Sequence, residues 1–339
     1  MADETKVKAN KFADIAGQTG IVEHLQNAIK LNKSSHAYIF SGESGMGKKM
    51  IARIFAMTLQ CEKGGTEPCM ECKSCKQTLS MNQPDIKWLR HEKPASISVE
   101  EIREQVNSDI QIKPYSSPKK IYIIDEAEKM TQAAQNALLK TIEEPPAYGV
   151  IILLTTNTSM LLPTIQSRCV ELAMKAVKKD VIKRHLVHEE KISESQAEMA
   201  AVFAGGNLGK AIKLATSEGF LNMKDDVLQV IKNIENMTVA EVGDYIKKTE
   251  GYKLDIDDYL DLMRVWYRDV LMYKVSKNIE EVIFKDEYKE ISNQAAKLSY
   301  NGLEVILEAI DKVKIRLKAN VNFELTIELL YLTIREQMA

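Results

Sequence analysis

A surplus of charge of either sign is missing from this chain: over 339 residues, 46 Lys and Arg stand against 48 Asp and Glu, a formal net charge of −2. A chain so balanced has no histone-like basic excess, so any contact with nucleic acid must come from a local patch or from partner subunits. Long hydrophobic runs are missing too. The longest are strand-sized, far short of the ~18 residues a membrane span needs. The N-terminus, MADETKVKANKF, is polar and has no apolar signal-peptide core. Together these absences point to a soluble cytoplasmic protein without a membrane partner. Internal repeats, low-complexity tracts and coiled-coil heptads are absent, as are motifs of the RRM or helix-turn-helix kind. What remains is an ordinary composition, 45% hydrophobic and 28% charged. At ~150 residues per domain, the length suits two or three domains.

Of five cysteines, four crowd into one stretch as C-x7-C-x2-C-x2-C: Cys61, Cys69, Cys72 and Cys75. In a reducing compartment such a cluster reads as metal ligands and not as disulfides. Zn²⁺ takes soft ligands in a tetrahedron, and C-x2-C turns let two thiolates converge on one ion. Gly64, Gly65 and Pro68 allow the chain to loop back. Four thiolates leave no open coordination position, so the expected zinc is structural. The fifth, Cys169, follows an apolar stretch and reads as a small packed residue.

Three apolar runs read as buried strands, at 38–41 (YIFS), 121–124 (IYII) and 150–157 (VIILLTTN). Helical patterns lie between them, including 98–106, which opens with Ser98 and Glu101 in capping-box spacing. Alternating strand and helix predicts a parallel α/β sheet. After Cys169 the strand signals fade. Short helices follow to about 217, broken by Gly205-Gly206-Asn207 and Gly209, and from about 225 the pattern is almost purely helical. Leu303, Ile306, Leu307, Ile310 and Val313 keep i, i+3, i+4 spacing. Trp266, Tyr267, Leu271 and Met272 read as the core of a helical bundle.

Gly42, Gly47 and Lys48, with Gly45 between them, match G-x4-G-K after a buried strand, the setting of a phosphate-binding loop. Glycines let backbone N–H groups curl around phosphate, and the lysine reaches the β/γ oxygens. The pattern then asks for Ser or Thr to ligate Mg²⁺, but position 49 is lysine. Lysine cannot be a metal ligand, and its charge opposes the ion. That leaves ATP binding open and argues against efficient hydrolysis. Asp125 and Glu126 end the next strand and supply the other half of such a site, an aspartate for Mg²⁺ and a glutamate that could polarise water. Thr156 or Asn157, ending the third strand, could place a polar group near a γ-phosphate. Strand-end Asp-Glu is also compatible with solvated loop charge. The cluster Lys175, Lys178, Lys179, Lys183 and Arg184 reads as a solvated face.

In order along the chain, FADIAGQ (12–18), SHAYIFSGESGMGKK (35–49), the four-cysteine insert, IIDEAEKM (123–130), NALLKTIEEPP (136–146) and SRC (167–169) resemble the clamp-loader branch of the AAA+ ATPases. The most specific pieces are those at 136–146 and 167–169. WYRDVL (266–271) and LKANVNFELTIELL (317–330) resemble the C-terminal collar of the delta-prime type of bacterial DNA polymerase III subunit, more than that of the gamma/tau motor type.

The resemblance implies a P-loop AAA+ α/β domain at 1–172 with an inserted zinc module at 61–75. A small helical lid follows at 173–222, and an all-α collar at 223–339. It implies a mixed pentamer with motor (gamma/tau-type) and delta-type subunits that loads a sliding clamp on primed DNA, and weak contact with the primer-template backbone, for which helix N-termini such as Ser98 could serve. Arg168 would act in trans as an arginine finger on the neighbour's γ-phosphate; the other reading of Arg168 is a salt bridge within its own domain. Two departures separate the chain from the motor type: Lys49 replaces its threonine, and Gly209 takes the place of a lid arginine that senses the γ-phosphate. The expected role is a largely non-catalytic scaffold and finger donor. The alternative is an active ATP-hydrolysing motor subunit or a diverged remodeller, for which the intact Asp125-Glu126 pair speaks.

Overall fold

The computed structural model describes residues 9–90, 96–319 and 321–338, so the first eight residues of the polar N-terminal stretch lie outside it. Contacts divide the chain into two units, 1–181 with 206–210, and 182–205 with 211–339.

The first unit is built on five parallel strands: β1 (Ala37–Ser41), β2 (Ile86–Trp88), β3 (Lys120–Ile124), β4 (Gly149–Thr155) and β5 (Val170–Ala173). Their order is β2-β3-β4-β1-β5. The helices are α1 (Thr19–Lys30), α2 (Lys48–Leu59), α3 (Lys73–Leu79), α4 (Val99–Ile102), α5 (Gln132–Glu143) and α6 (Pro163–Gln166). β1, β3 and β4 are buried along their whole length because alternate residues feed two different cores. Tyr38, Phe40, Ile121, Ile123, Ile152 and Leu154 pack on one face with Ile51 and Phe55 of α2. Ile39, Tyr122, Ile124, Ile151 and Leu153 pack on the other with Leu138 of α5. A continuous apolar run is therefore what a central parallel strand requires.

The α/β expectation is met, with two strands added. β2 is a three-residue edge strand of mixed polarity that pairs, among the described residues, with β3 alone. β5 lies where the strand signal fades after Cys169; it pairs with β1, and its Glu171 carboxylate accepts the Ser41 hydroxyl at 2.9 Å. Both are edge strands, half-exposed, so neither carries the hydrophobic run that marks the centre. The helix expected over 98–106 opens as anticipated: Glu101 N–H donates to Ser98 Oγ (3.3 Å), and Ser98 N–H to Glu101 Oε2 (2.6 Å). It stays α-helical only to Ile102 and continues as a wider π-helical turn over Arg103–Ser108.

Beyond the sheet come α7 (Lys179–His188), α8 (Glu194–Phe203), α9 (Leu208–Thr216), α10 (Glu218–Asn233), α11 (Val239–Glu250), α12 (Ile256–Ser276), α13 (Tyr288–Lys297), α14 (Tyr300–Lys318) and α15 (Phe323–Met338). The helical C-terminal part is as expected. On α12, Trp266 and Tyr267 are fully buried and Leu271 and Met272 half-buried. Trp266 Nε1 donates to Gln294 Oε1 at 2.9 Å, which satisfies the indole inside the bundle. Leu303, Ile306, Ile310 and Val313 of α14 are buried and Leu307 half-buried. Thr249, Tyr259 and Tyr331 share a buried hydroxyl cluster with 2.8 Å contacts to Tyr331. Among the described residues, no helix is long and apolar enough to cross a membrane.

Candidate functional site

Between β1 and α2 the chain must reverse within six residues, and Gly42, Gly45 and Gly47 adopt φ of +147°, +87° and +94°. Side chains rarely tolerate such angles, which is why this turn is glycine-rich. Lys48, the first residue of α2, is buried. Its ammonium donates to the Gly42 carbonyl and to Glu43 O at 2.9 Å. An ammonium has three donors, so one remains for a phosphate oxygen. Burial pushes the Lys48 pKa down, while Glu128 and Asp125 oppose that push.

The structure brings Lys49, Asp125, Glu128 and Thr156 to the same mouth. Lys49 Nζ lies 2.8 Å from Asp125 Oδ2, an ion pair between the residue in the Ser/Thr position and the carboxylate expected to serve Mg²⁺. Glu126 sits at φ +50° with its carboxylate held by Lys129 at 2.8 Å. Thr156, at the end of β4, donates its hydroxyl to Glu128 Oε1 at 2.6 Å, and its N–H reaches the same oxygen at 3.3 Å. Burial raises the Glu128 pKa, but hydrogen bonds from Thr156, from its own backbone and from Thr155 together outweigh it, so the group is held below its ordinary value. Its other oxygen, Oε2, is buried without a hydrogen-bond partner. The sequence reading missed Glu128; the signal was a third carboxylate in Asp125-Glu126-Ala127-Glu128. The loop and Lys48 fit phosphate. With no hydroxyl at 49 and Asp125 engaged by an ammonium, the residues do not fit Mg²⁺.

The segment 206–210 belongs to the same unit and closes on the loop. The buried Asn207 donates from Nδ2 to Ser44 O at 2.7 Å, and Gly209 N–H donates to Gly45 O at 3.1 Å. A Cβ at 209 would lie 2.9 Å from Gly45 Cα and closer still to Gly45 O. The position is therefore occupied by backbone against backbone, with no room for an arginine. At the N-terminal end, Gln18 and Lys175 exchange two hydrogen bonds, 2.6 and 3.0 Å, fastening FADIAGQ beside β5.

Arg168 lies away from these groups in sequence, two residues after α6, with its side chain 41% exposed. Its guanidinium contacts Glu143 Oε1 (3.0 Å), Thr164 O (3.1 Å) and Ser167 Oγ (3.3 Å). The fork is thus oriented by its own unit. Cys169 beside it is half-buried, and burial pushes its thiol up to about 12.

Cys61, Cys69, Cys72 and Cys75 come together with all four sulfurs within 4.8 Å of one another, and none is in a disulfide. A tetrahedral ion with ~2.3 Å Zn–S bonds sets its sulfurs about 3.8 Å apart, and Cys69 and Cys75 are 3.9 Å apart. Backbone N–H groups of Cys69, Cys72 and Cys75 point at the sulfurs of Cys61, Cys69 and Cys72 at 3.3–3.4 Å. Bonds from Cys72 and Glu71 N–H lower the Cys69 thiol to about 6. The four can hold a metal ion. Glu67, inside the insert, accepts the N–H of Phe12 (2.8 Å) and Ala13 (3.2 Å), tying the cysteine loop to the N-terminal segment.

A five-stranded parallel sheet, a glycine loop ahead of α2 and a following helical part define an α/β protein of the P-loop type. The model described as DNA polymerase III, delta subunit, matches residues 17–178, and the one described as its C-terminal part matches 222–336. The chain belongs to this family of DNA polymerase III subunits. It is 29% identical to the delta-prime subunit of Bacillus subtilis over 94% of this chain and 96% of that one. It is 28% identical to the tau subunit of the same organism over 94% of this chain, but spans only 61% of tau's length. A solved gamma-subunit-related protein of Thermotoga maritima is 19% identical, covering 94% of this chain and 99% of its own, with a TM-score of 0.39.

Proposed function

We propose that the chain is a clamp-loader subunit of the delta-prime type, which scaffolds the loader and supplies Arg168 to the ATP of a neighbouring motor subunit. The observation that carries this reading is the Lys49–Asp125 ion pair, which puts an ammonium where a hydrolysing subunit needs its metal. Gly209 against Gly45 supports it, because the lid arginine of a motor has no place there. In this reading the α/β domain spans 1–172, the lid 173–222 and the collar 223–339.

Phosphoryl transfer builds charge on the γ-phosphate oxygens, and an arginine reaching in from the next subunit spreads it. Arg168 suits that role because it is half-exposed, oriented by Glu143, and able to exchange that carboxylate for a phosphate. Glu143 is its positioning residue. The collar would close the ring through α15, where Leu325, Leu329 and Leu332 form an exposed apolar stripe at i, i+4, i+7. The cysteine cluster would hold a structural Zn²⁺, which on binding supplies a cross-link for the insert. The partners are motor (gamma/tau-type) and delta-type subunits, the sliding clamp and, weakly, primer-template DNA backbone.

The test is Arg168→Ala in a reconstituted loader. The lone chain should stay folded, because an ion pair this exposed contributes at most ~1 kcal/mol. DNA-stimulated ATP hydrolysis at the adjoining site should fall by roughly 10³–10⁵. An unchanged rate would sink the finger assignment, and ATP hydrolysis by the isolated chain would favour the motor reading.

A further inference from the structure

Two charged side chains sit at the mouth of the phosphate loop where hydrolysis calls for neither. Lys49 brings an ammonium to 2.8 Å from Asp125. Glu128 accepts the Thr156 hydroxyl at 2.6 Å and leaves Oε2 buried without a donor. The loop itself is fully formed, with three glycines at positive φ and a buried Lys48 tethered to the Gly42 and Glu43 carbonyls with one donor to spare.

These features sort the phosphates of a nucleotide. A β-phosphate seated on the loop meets Lys48 and, beside it, Lys49, which carries the positive charge a metal otherwise brings. A γ-phosphate would lie further out, where the polar group ending β4 could donate to it. Here the Thr156 hydroxyl donates to a carboxylate instead. Gly42 N–H donates to Thr155 O at 3.1 Å, which sets Thr156, and the Glu128 carboxylate it binds at 2.6 Å, beside the start of the phosphate loop. A second multiply charged anion brought up to it, in a partly desolvated mouth, is repelled.

We infer that the loop at 42–48 binds a nucleoside diphosphate without magnesium, Lys49 standing in for the metal at the β-phosphate and Glu128 turning away a γ-phosphate. This deepens the reading of a non-hydrolysing loop and rests on it, but it does not involve Arg168. If Arg168→Ala proves silent while ADP binds as stated, only the finger fails.

The test is calorimetric titration of the intact, zinc-loaded chain with ADP and with ATP, in Mg²⁺ and in Mg²⁺-free buffer without a chelator. ADP should bind at least ~10-fold more tightly than ATP, and exchanging the buffers should change its Kd by less than ~2-fold. Glu128→Gln keeps the side chain's shape and removes its charge; it should bring ATP to within ~3-fold of ADP. Lys49→Thr should weaken ADP binding in the absence of Mg²⁺ and make it Mg²⁺-dependent. Thermal melts of both variants establish that they are folded. Three results would overturn the inference: ATP bound as tightly as ADP by the unaltered chain, ADP affinity that rises ~10-fold with Mg²⁺, or no binding of either nucleotide at millimolar concentration.

Discussion

Gly209 offers the sharpest test of how the segment 206–210 packs on the phosphate loop. If the position had merely lost an arginine, a methyl group there would be harmless. The geometry says otherwise. Gly209 N–H donates to Gly45 O at 3.1 Å, and a Cβ would stand 2.9 Å from Gly45 Cα and 3.0 Å from its carbonyl carbon. The neighbour is backbone in a turn at φ +87°, not the end of a flexible side chain, so relief requires one of the two segments to move. Overpacking of this kind costs ~1–3 kcal/mol. Loss of the Gly209–Gly45 hydrogen bond adds about 1 kcal/mol. Gly209→Ala should therefore destabilise the first unit by about 2–4 kcal/mol, lowering its melting temperature by roughly 4–16 °C at ~2–4 °C per kcal/mol. Differential scanning calorimetry reads this directly. An alanine variant that melts with the parent would refute the packing argument, and with it the claim that no lid arginine fits.

Removing metal from the cysteine cluster with a chelator, or replacing Cys75 by Ser, should lower the melting temperature. It should also expose the segment around Phe12 to protease, since Glu67 in the insert holds the N–H groups of Phe12 and Ala13; unchanged proteolysis after verified metal loss would argue against that coupling. Asp109 is buried enough to raise its pKa, but bonds from Lys87, Tyr122 and Lys120 outweigh this and bring it from 3.8 to about 2. A depressed carboxylate contributes stability above its unfolded value and loses it as pH falls through the folded one. The unaltered chain should thus lose stability between pH 3.8 and about 2 more steeply than Asp109→Asn, as read by acid titration of its circular dichroism. Leu329→Lys on the exposed stripe of α15 should leave the lone chain's melting within ~0.5 kcal/mol and weaken its incorporation into a reconstituted loader, seen by size-exclusion chromatography.

The legible parts of the chain are those whose physics is local. Central strands read at 38–41, 121–124 and 150–157, the last ending in the structure at Thr155, announce themselves because both faces are buried, so nearly every residue must be apolar. The glycine loop is legible because positive φ restricts residue type, and the cysteines because metal ligation demands short spacings. Edge strands are not: Ile86–Trp88 and Val170–Ala173 are short and half-exposed, and their pairing depends on neighbours far away in sequence.

The same division runs through the candidate site. Sequence alone determined that position 49 cannot ligate a metal, since that follows from residue identity; Gly209 at the place of a lid arginine is what the family resemblance implies. Tertiary structure decided what those departures do. It directs Lys49 onto Asp125, across 76 positions of chain, and packs Gly209 backbone on Gly45. It also couples Thr156 to Glu128 and Arg168 to Glu143. Ion pairs and hydrogen bonds act over a few ångströms, and only the fold sets which distant side chains come that close.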